Sequence, residues 1–457
     1  MSTSVKSSDR DRSAEIDRCL TLISPSASDE SKFVGMLILP KLLDTPESIE
    51  RVYKGMNFKF IERLLRTNHG VDAQVPDPVL KEIAVNILAC FAHEEKLVTD
   101  QNMVDRIPTL STVLTPNDET DVTKDALHIL MVVAVNKEGL VKMLDPDALK
   151  NVFEVLLLTT KDNERELCSQ LIISVYAKSC HLLSQDKSIP SLASALKYSM
   201  GTLFNIVSKT LNQDQNKLKF EALYVLASVL PNVPAEVMQK VKAESEKVYT
   251  KWLKNILNGV RDILSSKVND LQRDRAILLI SCLLRYFGND WLFSSLEKTR
   301  MTKRRKENEP EDREINKANS VAHFPALLIH LVAIEAKVMM DEINDRIHKE
   351  VNEDKKITSS KEARQQLMIP VYFEILEAAM EYLATHYDED KESGMDPEML
   401  LKIRTTMSEV MDVVMELLKF MQDTSASASE LDDDMVAQAC IRLVSIWLAE
   451  EGFEMPE

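Results

Sequence analysis

Residues 77–92 read DPVLKEIAVNILACFA, and this stretch decides the fold class. Its apolar side chains recur every three or four positions, which is the period of one face of an α-helix. They are Val79, Leu80, Ile83, Ala84, Ile87, Leu88 and Phe91. The stretch therefore predicts a helix that buries one stripe against its neighbours.

The start of this helix carries a signal that recurs along the chain. Thr or Asp stands directly before Pro at Thr45-Pro46, Asp77-Pro78, Asp145-Pro146 and Asp396-Pro397. A Thr or Asp side chain accepts hydrogen bonds from the free amides of a first turn. Pro suits the first helical position because the N–H that it lacks has no partner there. We predict that a helix begins at each of the four sites.

Amphipathic stretches of this kind follow one another along all 457 residues, and none shows the sustained alternation of a strand. Only 9 Gly and 16 Pro are present, too few for the tight turns of a sheet-rich fold. The stretches form pairs or triplets roughly every 35–50 residues, near the armadillo and HEAT periods. We predict an all-α fold, an armadillo/HEAT-like α-solenoid of stacked helix pairs and triplets. An irregular helical domain is the alternative.

The predicted solenoid occupies residues 13–457 as a single domain. Its helical groups lie at 13–66, 77–135, 137–185, 188–230, 234–288, 318–388 and 395–450. Two stretches, Ala276–Leu284 and Phe324–Met340, are apolar nearly all round. We expect them to be inner helices that neighbours cover on several sides.

Two segments lack apolar periodicity. Residues 1–12 are mostly Ser, Asp, Arg and Lys, and we expect a disordered N-terminus there. Residues 298–319 contain one Met and one Ile among charged side chains. Such a segment cannot bury enough apolar surface to pack, so we expect a charged, disordered loop that interrupts the solenoid.

The composition indicates which class of partner the protein binds and in which cellular compartment it resides. The formal net charge is −17, which argues against nucleic acid as a partner because phosphate binding needs a basic face. The six cysteines form no CxxC pair, as is usual in a reducing compartment. The N-terminus has no apolar secretory segment, and the most apolar stretch, 321–340, is interrupted by charged and His residues. We predict a cytoplasmic protein without a transmembrane segment that binds other proteins.

Motifs that carry chemistry are missing from the sequence. It has no GxxxxGK[ST] phosphate-binding loop, no GxGxxG dinucleotide motif and no GxSxG nucleophile elbow. The eight His never form HExxH or another short zinc pattern. We predict no enzyme activity, no catalytic residue, no metal and no cofactor. A pocket that gathers His, Asp or Cys from distant helices is the alternative that spacing leaves open.

A dense basic run at 300–306 stands out in this acidic chain. Its core is Lys303, Arg304, Arg305 and Lys306. One interpretation is a cluster that binds an acidic partner or serves nuclear import, which makes a nuclear or nuclear-transport adaptor the alternative function. The other is one half of a self-compensating loop, because Glu307, Glu309 and further acidic residues follow at once.

Several blocks resemble the neurochondrin family and occur in the family's order. They are KFVGMLIL at 32–39, FKFIERLL at 58–65, VNILACF at 85–91, IPTLSTVL at 107–114, GNDW at 288–291, FPALLIHL at 324–331 and WLAEE at 447–451. Within them, Gly288, Asn289, Asp290 and Trp291 are similar to a family turn. The family chain continues for further helical repeats after the WLAEE block, and residues 298–319 are an insertion relative to it.

This resemblance implies a cytoplasmic adaptor that modulates signalling, linked in animals to neurite outgrowth and to restraint of calmodulin-dependent kinase signalling. Together with the stacked helices, it predicts a non-enzymatic protein-interaction scaffold. The resemblance supplies no catalytic residue and no binding site.

Overall fold

The computed structural model describes residues 3–68, 75–186, 189–296, 313–353, 361–386, 396–424 and 434–450. Side chains are described in these ranges except at 3–11, 313–322, 350–353 and 450. Every regular element in the described ranges is helical, and none of them is a strand. The chain forms two compact units, unit 1 (Met1–Val207 and Asn232–Glu244) and unit 2 (Ser208–Pro231 and Ser245–Glu457).

Unit 1 is built from short and medium helices. They are α1 Thr3–Leu22, α2 Asp29–Ile38, α3 Pro46–Gly55, α4 Phe58–Leu65, α5 Asp77–Ala92, α6 Glu95–Val98, α7 Gln101–Val104, α8 Ile107–Val113, α9 Val122–Val133, α10 Lys137–Met143, α11 Pro146–Leu158, α12 Asp162–Gln185, α13 Pro190–Gln213 (whose residues from Ser208 belong to unit 2) and, later in the chain, α15 Ala235–Glu244. A 3₁₀ turn, Leu39–Lys41, follows α2.

Two layers of helices form unit 1. In one layer α2 packs on α5, α5 on α9 and α9 on α12, while in the other α4 packs on α8 and α8 on α11. Contacts of α4 with α5, α8 with α9 and α11 with α12 join the layers. The stripe predicted for α5 lies between them, because Ile83, Ile87 and Phe91 are fully buried or nearly so. Val79, in the first turn, is exposed.

Unit 2 repeats this arrangement with longer helices. They are α14 Lys217–Val229, α16 Glu246–Leu264, α17 Asp270–Phe287, α18 Asp290–Phe293, α19 Arg313–Glu353, α20 Glu362–His386, α21 Pro397–Thr424 and α22 Met435–Glu450. In one layer α14, α17, α20 and α22 pack in that order, and in the other α16 packs on α19 and α19 on α21. The layers meet where α16 contacts α17, α19 contacts α20 and α21 contacts α22. Each unit is therefore an α-solenoid of the armadillo/HEAT type, in which each helix pair packs on the next.

The helix starts test the predicted capping signals. Thr45 and Asp145 accept hydrogen bonds from the amides of Ser48 (3.2 Å) and Asp147 (3.0 Å), and Asp396 accepts one from Glu398 (3.4 Å). These three starts are confirmed. The fourth is wrong in detail, because Asp77 is itself the first helical residue and Pro76, which has no side-chain acceptor, precedes it.

The segments expected to be disordered are only partly described. The backbone of α1 is helical from Thr3, inside the stretch 1–12 for which we expected no regular structure. Residues 297–312 lie outside the described residues, and the backbone of α19 begins at Arg313, so the last seven positions of the 298–319 segment are helical. The single-domain solenoid over 13–457 and the bounds of its helical groups stay predictions.

Candidate protein-interaction surface

Helix α19 has one open apolar face. Its core side is as predicted, since Phe324, Leu328 and Val332 are buried. Three large apolar side chains are nevertheless exposed: Leu327 by 49%, Ile334 by 56% and Val338 by 53%. We call these three residues the α19 ridge. The expectation that neighbours cover the Phe324–Met340 stretch on several sides holds only in part, whereas Ala276–Leu284 in α17 is buried almost throughout.

The ridge lies on one side of α19. Its members are seven and four residues apart, which places them on one helical face. The packed faces of α19 are held by polar contacts. Towards α21, the Lys337 ammonium lies 2.7 Å from Glu409, and His330 Nδ1 is 2.7 Å from the Thr406 hydroxyl.

On the inner side of α19, Glu335 connects to the facing layer. Its carboxylate pairs with Arg273 of α17 and lies 3.6 Å from the guanidinium of Arg364 in α20. Arg364 in turn holds Asp274 of α17 through two hydrogen bonds of 2.6 and 2.8 Å. These ion pairs orient α19, so the ridge faces away from the α14/α17/α20/α22 layer.

Helix α16 lies beside α19 and exposes positive charge. Lys247, Lys251 and Lys254 recur at helical spacing and are all exposed. They occupy the face opposite the buried Trp252 and Ile256. We call these three residues the lysine row. Among the described residues no ion pair involves them, in contrast to other lysines of unit 2 such as Lys219, Lys337 and Lys402, which each have a carboxylate partner.

Acidic side chains border the ridge elsewhere. Asp341 and Asp345 continue the exposed face of α19 towards its C-terminus. On α21, Asp412 and Glu416 are exposed as well. The ridge is therefore bordered by acidic side chains on α21 and towards the C-terminus of α19.

The residues singled out from the sequence lie elsewhere. Gly288 ends α17 with a φ of 81°, a left-handed conformation that favours Gly. The Asn289 amide donates to Glu381 of α20 at 2.9 Å, and Asp290 and Trp291 begin α18. This turn connects helices, and it lies in a different part of unit 2 from the ridge. Lys303, Arg304, Arg305 and Lys306 lie outside the described residues, so their role in binding or nuclear import stays a prediction.

The whole sequence, compared with known protein families, determines the family of this chain. The profile of the Neurochondrin family matches residues 10–457. The chain belongs to the neurochondrin family. The neurochondrin homolog of Drosophila melanogaster is 24% identical, with 96% of this chain and 54% of that protein covered. Homo sapiens neurochondrin is 22% identical, with coverage of 96% and 51%, and the Xenopus laevis protein is 21% identical, with coverage of 98% and 55%.

This neurochondrin-family chain spans about half the length of the curated relatives that it matches. Among solved structures, a computationally designed armadillo repeat protein for modular peptide recognition has a TM-score of 0.38 and 15% identity, covering 58% of this chain and 99% of its own. An engineered protein has a TM-score of 0.38 and 12% identity, covering 94% and 98%. The α-solenoid assignment rests on the helix packing within each unit.

The stretch His323–Lys349 of α19 has the length and apolar composition to cross a bilayer, and it is the one such stretch among the described residues. In this neurochondrin-family structure 56% of its apolar window is buried inside the protein. Contacts with α16, α20 and α21 provide that burial. The composition is thus that of a core helix with one uncovered face.

Chemically reactive groups are few in this neurochondrin-family chain. Burial raises the pKa of all six thiols, to about 12 for Cys180 and for Cys440, so they are poor nucleophiles near neutral pH. Within the described ranges, no group of three or more His, Cys, Asp or Glu is placed to hold a metal. A cleft of about 340 Å³ in unit 1 is lined by charged side chains, of which Lys161 and Glu164 pair at 2.8 Å.

The ridge and the lysine row were not identified in the sequence. Leu327, Ile334 and Val338 stand among apolar residues on every side of the same helix. The three lysines look like an ordinary solvated face of an amphipathic helix. A weak signal existed, because an apolar stripe wider than one core face leaves surplus apolar residues for a second contact.

Proposed function

We propose that this chain is a non-enzymatic scaffold that binds other proteins, and that the α19 ridge is a contact surface. The observation that carries the proposal is the exposure of three large apolar side chains on one face of a helix whose other sides are packed and ion-paired. Grouped apolar exposure of this kind marks interaction sites, whereas single exposed apolar residues are ordinary.

The exposed apolar area of the ridge is large enough to contribute to binding affinity. Full burial of a Leu, Ile or Val side chain contributes about 1.5–3 kcal/mol. Since about half of each ridge side chain is exposed, covering all three adds about 3 kcal/mol, or roughly a hundredfold in affinity. A ligand that also contacts neighbouring helices gains further area, because stacked helices present a continuous surface.

Two observations support the non-enzymatic and cytoplasmic parts of the proposal. The thiols are buried with raised pKa values, which disfavours a cysteine nucleophile. All six cysteines are free, as suits a reducing compartment. We therefore place the scaffold in the cytoplasm. The family resemblance supports a role in modulating signalling.

The test compares proteins captured from cell extract by three forms of the full 457-residue chain. They are the wild type, the ridge double variant Ile334→Asn/Val338→Asn, and the control Leu271→Asn, which changes a 55%-exposed Leu on α17. We expect some captured proteins to be depleted about 30-fold by the ridge double variant, for a loss of about 2 kcal/mol, and retained by the control. Crosslinks from those proteins should map to α16, α19 or α21.

Identical protein sets from all three forms contradict the proposal. Circular dichroism of each variant shows whether its helices are intact. Because the substituted side chains are exposed, we expect the helical signal of all three forms to agree.

A further inference from the structure

We infer that the partner segment held by the α19 ridge is an amphipathic helix with Lys or Arg at one end of its apolar stripe. This inference rests on the proposed function, because it uses the same ridge, and it adds the chemistry of the occupant. Two features of the surface lead to it. They are the spacing of the ridge, and the carboxylates that continue its exposed face and line the neighbouring rim of α21.

The spacing of the ridge matches a helix. Leu327 and Ile334 are seven residues apart, about 10.5 Å along the axis, and Ile334 and Val338 are four apart, about 6 Å. A helix laid parallel to α19 meets these side chains with apolar residues at positions i, i+7 and i+11, which form one stripe. In an extended partner, side chains of one face recur about every 6.6 Å, which does not fit an interval of about 10.5 Å. The ridge therefore favours an amphipathic helix as its partner.

Negative charge continues the ridge on its own helical face. Asp341 and Asp345 follow Val338 by three and seven residues, so both lie on the side of α19 that carries the ridge. Both aspartates are exposed. The open face of α19 therefore changes from apolar to acidic after Val338.

Contacts between α19 and α21 place a further carboxylate at the same level. Lys337 pairs with Glu409 at 2.7 Å, and three turns further along α19 the centre of the His348 ring lies 4.1 Å from that of Phe420. The two aspartates lie between these contacts on α19, and Glu416 lies between them on α21. Because Glu416 follows Glu409 by seven residues, it is on the side of α21 that faces α19, and it is exposed.

The carboxylates at this end of the surface outnumber the positive charges. Among the described residues no ion pair involves Asp341, Asp345, Asp412 or Glu416, and one exposed lysine, Lys349, follows a turn after Asp345. A parallel partner helix complements the two aspartates of α19 with Lys or Arg at positions i+14 and i+18, after its apolar residues. In an antiparallel partner the basic residues precede the apolar ones.

The same surface disfavours two other occupants. An anionic membrane that covers the ridge meets Asp341 and Asp345 on the same face, and like charges repel. A second copy of this chain offers the lysine row of α16 as its basic element. Among the described residues of α16, however, Val248 is the one large apolar side chain that is exposed. That helix therefore lacks a stripe that would cover three ridge side chains.

The experiment selects ligands without presupposing their charge. A displayed library of peptides of about 22 residues, six helical turns, with every position outside a three-residue apolar stripe randomised, is selected against the full chain. Each binder is then measured by fluorescence anisotropy against the wild type, the ridge double variant and Leu271→Asn. Binders weakened by the ridge double variant and not by Leu271→Asn are the ridge-dependent set.

We expect the ridge-dependent peptides to carry Lys or Arg at one end of the stripe. The variant Asp341→Lys/Asp345→Lys should weaken them about tenfold, and it should strengthen peptides in which Glu replaces those basic residues. The control Glu119→Lys/Glu154→Lys changes the net charge equally at exposed positions of unit 1. It should alter either affinity less than about twofold at 0.15 M salt, where charges more than about 8 Å apart are largely screened.

A chemical crosslink locates the basic end of the peptide. Carbodiimide, which joins carboxylates to amines in contact, should couple the lysines of bound peptides to Asp341, Asp345 or Glu416. Raising the salt concentration should lower both the affinity and the yield of this crosslink.

Different outcomes overturn different claims. Ridge-dependent peptides that lack a basic end, or that Asp341→Lys/Asp345→Lys leaves unaffected, overturn the basic partner and leave the scaffold proposal intact. A selection that yields no ridge-dependent peptide overturns the ridge as a contact surface.

Three results identify another occupant, and each overturns the inference. Ridge-dependent sedimentation with phosphatidylserine-containing vesicles identifies a membrane. A dimer that the ridge double variant dissociates identifies a second copy. Peptides that bind at least tenfold more tightly to a chain without residues 298–306 identify the basic run of this chain as the occupant.

Discussion

His330 is one of the side chains that join α19 to α21. Burial lowers the pKa of its imidazole, and the nearby positive charge of Lys402 lowers it further, while Glu409 opposes the shift. Its Nδ1 lies 2.7 Å from the Thr406 hydroxyl. The folded state therefore favours the neutral ring.

The stability of the fold should depend on pH through His330. Because the folded-state pKa lies below the ordinary value of 6.5, the unfolded chain takes up the proton first as the pH falls. The stabilisation is present above pH 6.5 and is lost as the pH falls through the folded-state pKa. His330→Asn, which cannot titrate, should reduce the decrease of the urea midpoint between pH 7.5 and pH 6. His128→Asn, at an exposed position of α9, should leave that decrease unchanged. An unaltered decrease in His330→Asn contradicts the assignment.

Among the helices, α11 shows most clearly how a local signal defines an element. Asp145 accepts hydrogen bonds from the amides of Asp147 (3.0 Å) and Ala148 (3.5 Å), and Pro146 occupies the first helical position. These contacts satisfy amides that have no partner inside the helix. The helix start is thus determined by two adjacent residues, independently of what α11 packs against.

Removing this cap should loosen the first turn of α11. We expect Asp145→Ala to cost about 1 kcal/mol of local stability and Asp145→Asn, which keeps an acceptor, to cost much less. Amides at the start of α11 should then exchange with deuterium about fivefold faster in Asp145→Ala, since about 1.4 kcal/mol corresponds to tenfold. Equal exchange rates in Asp145→Ala and the wild type contradict the role of the cap.

At the scale of a whole unit, polar contacts connect helices that are separate in sequence. In unit 2, Arg364 holds Asp274 bidentately and reaches Glu335, so a single guanidinium connects α17, α19 and α20. Asp274 also accepts a hydrogen bond from the Tyr372 hydroxyl at 3.4 Å. This charge cluster ties the two layers of unit 2 together at the level of the ridge.

Loss of the guanidinium should destabilise unit 2 alone. Arg364→Met leaves two carboxylates without their partner, and hydrogen bonds to charged groups contribute roughly 1.5–3 kcal/mol each when well shielded. Because Arg364 is partly exposed, we expect the free energy of unfolding to fall by about 1–3 kcal/mol in total. Exchange should accelerate in α17, α19 and α20 and not in α9, because stacked helices depend on their nearest neighbours. Arg364→Lys keeps the positive charge but lacks the planar guanidinium. We therefore expect its stability to lie between those of the wild type and Arg364→Met. Equal acceleration in both units contradicts a local effect.

The turn at Gly288 and the ridge show which features of a candidate site can be predicted from the sequence and which cannot. Gly288–Trp291 was singled out through its resemblance to a family turn, and the structure places it at the α17–α18 junction. The ridge could not be recognised, because its exposure depends on which sides of α19 are covered by α16, α20 and α21. Those helices lie outside 324–340, and nothing within that stretch distinguishes Ile334 from the buried Val332.

The sequence by itself determined that this protein is an array of helices, where three of the four predicted capped helices start and which stripes are apolar. These properties follow from hydrogen bonds and side-chain periodicity within a few residues. Only the tertiary structure decided that α19 keeps one apolar face open and that Arg273, Glu335 and Arg364 meet between its helices. Burial is a property of packed neighbours, and charge complementarity is a property of side chains brought together from separate helices.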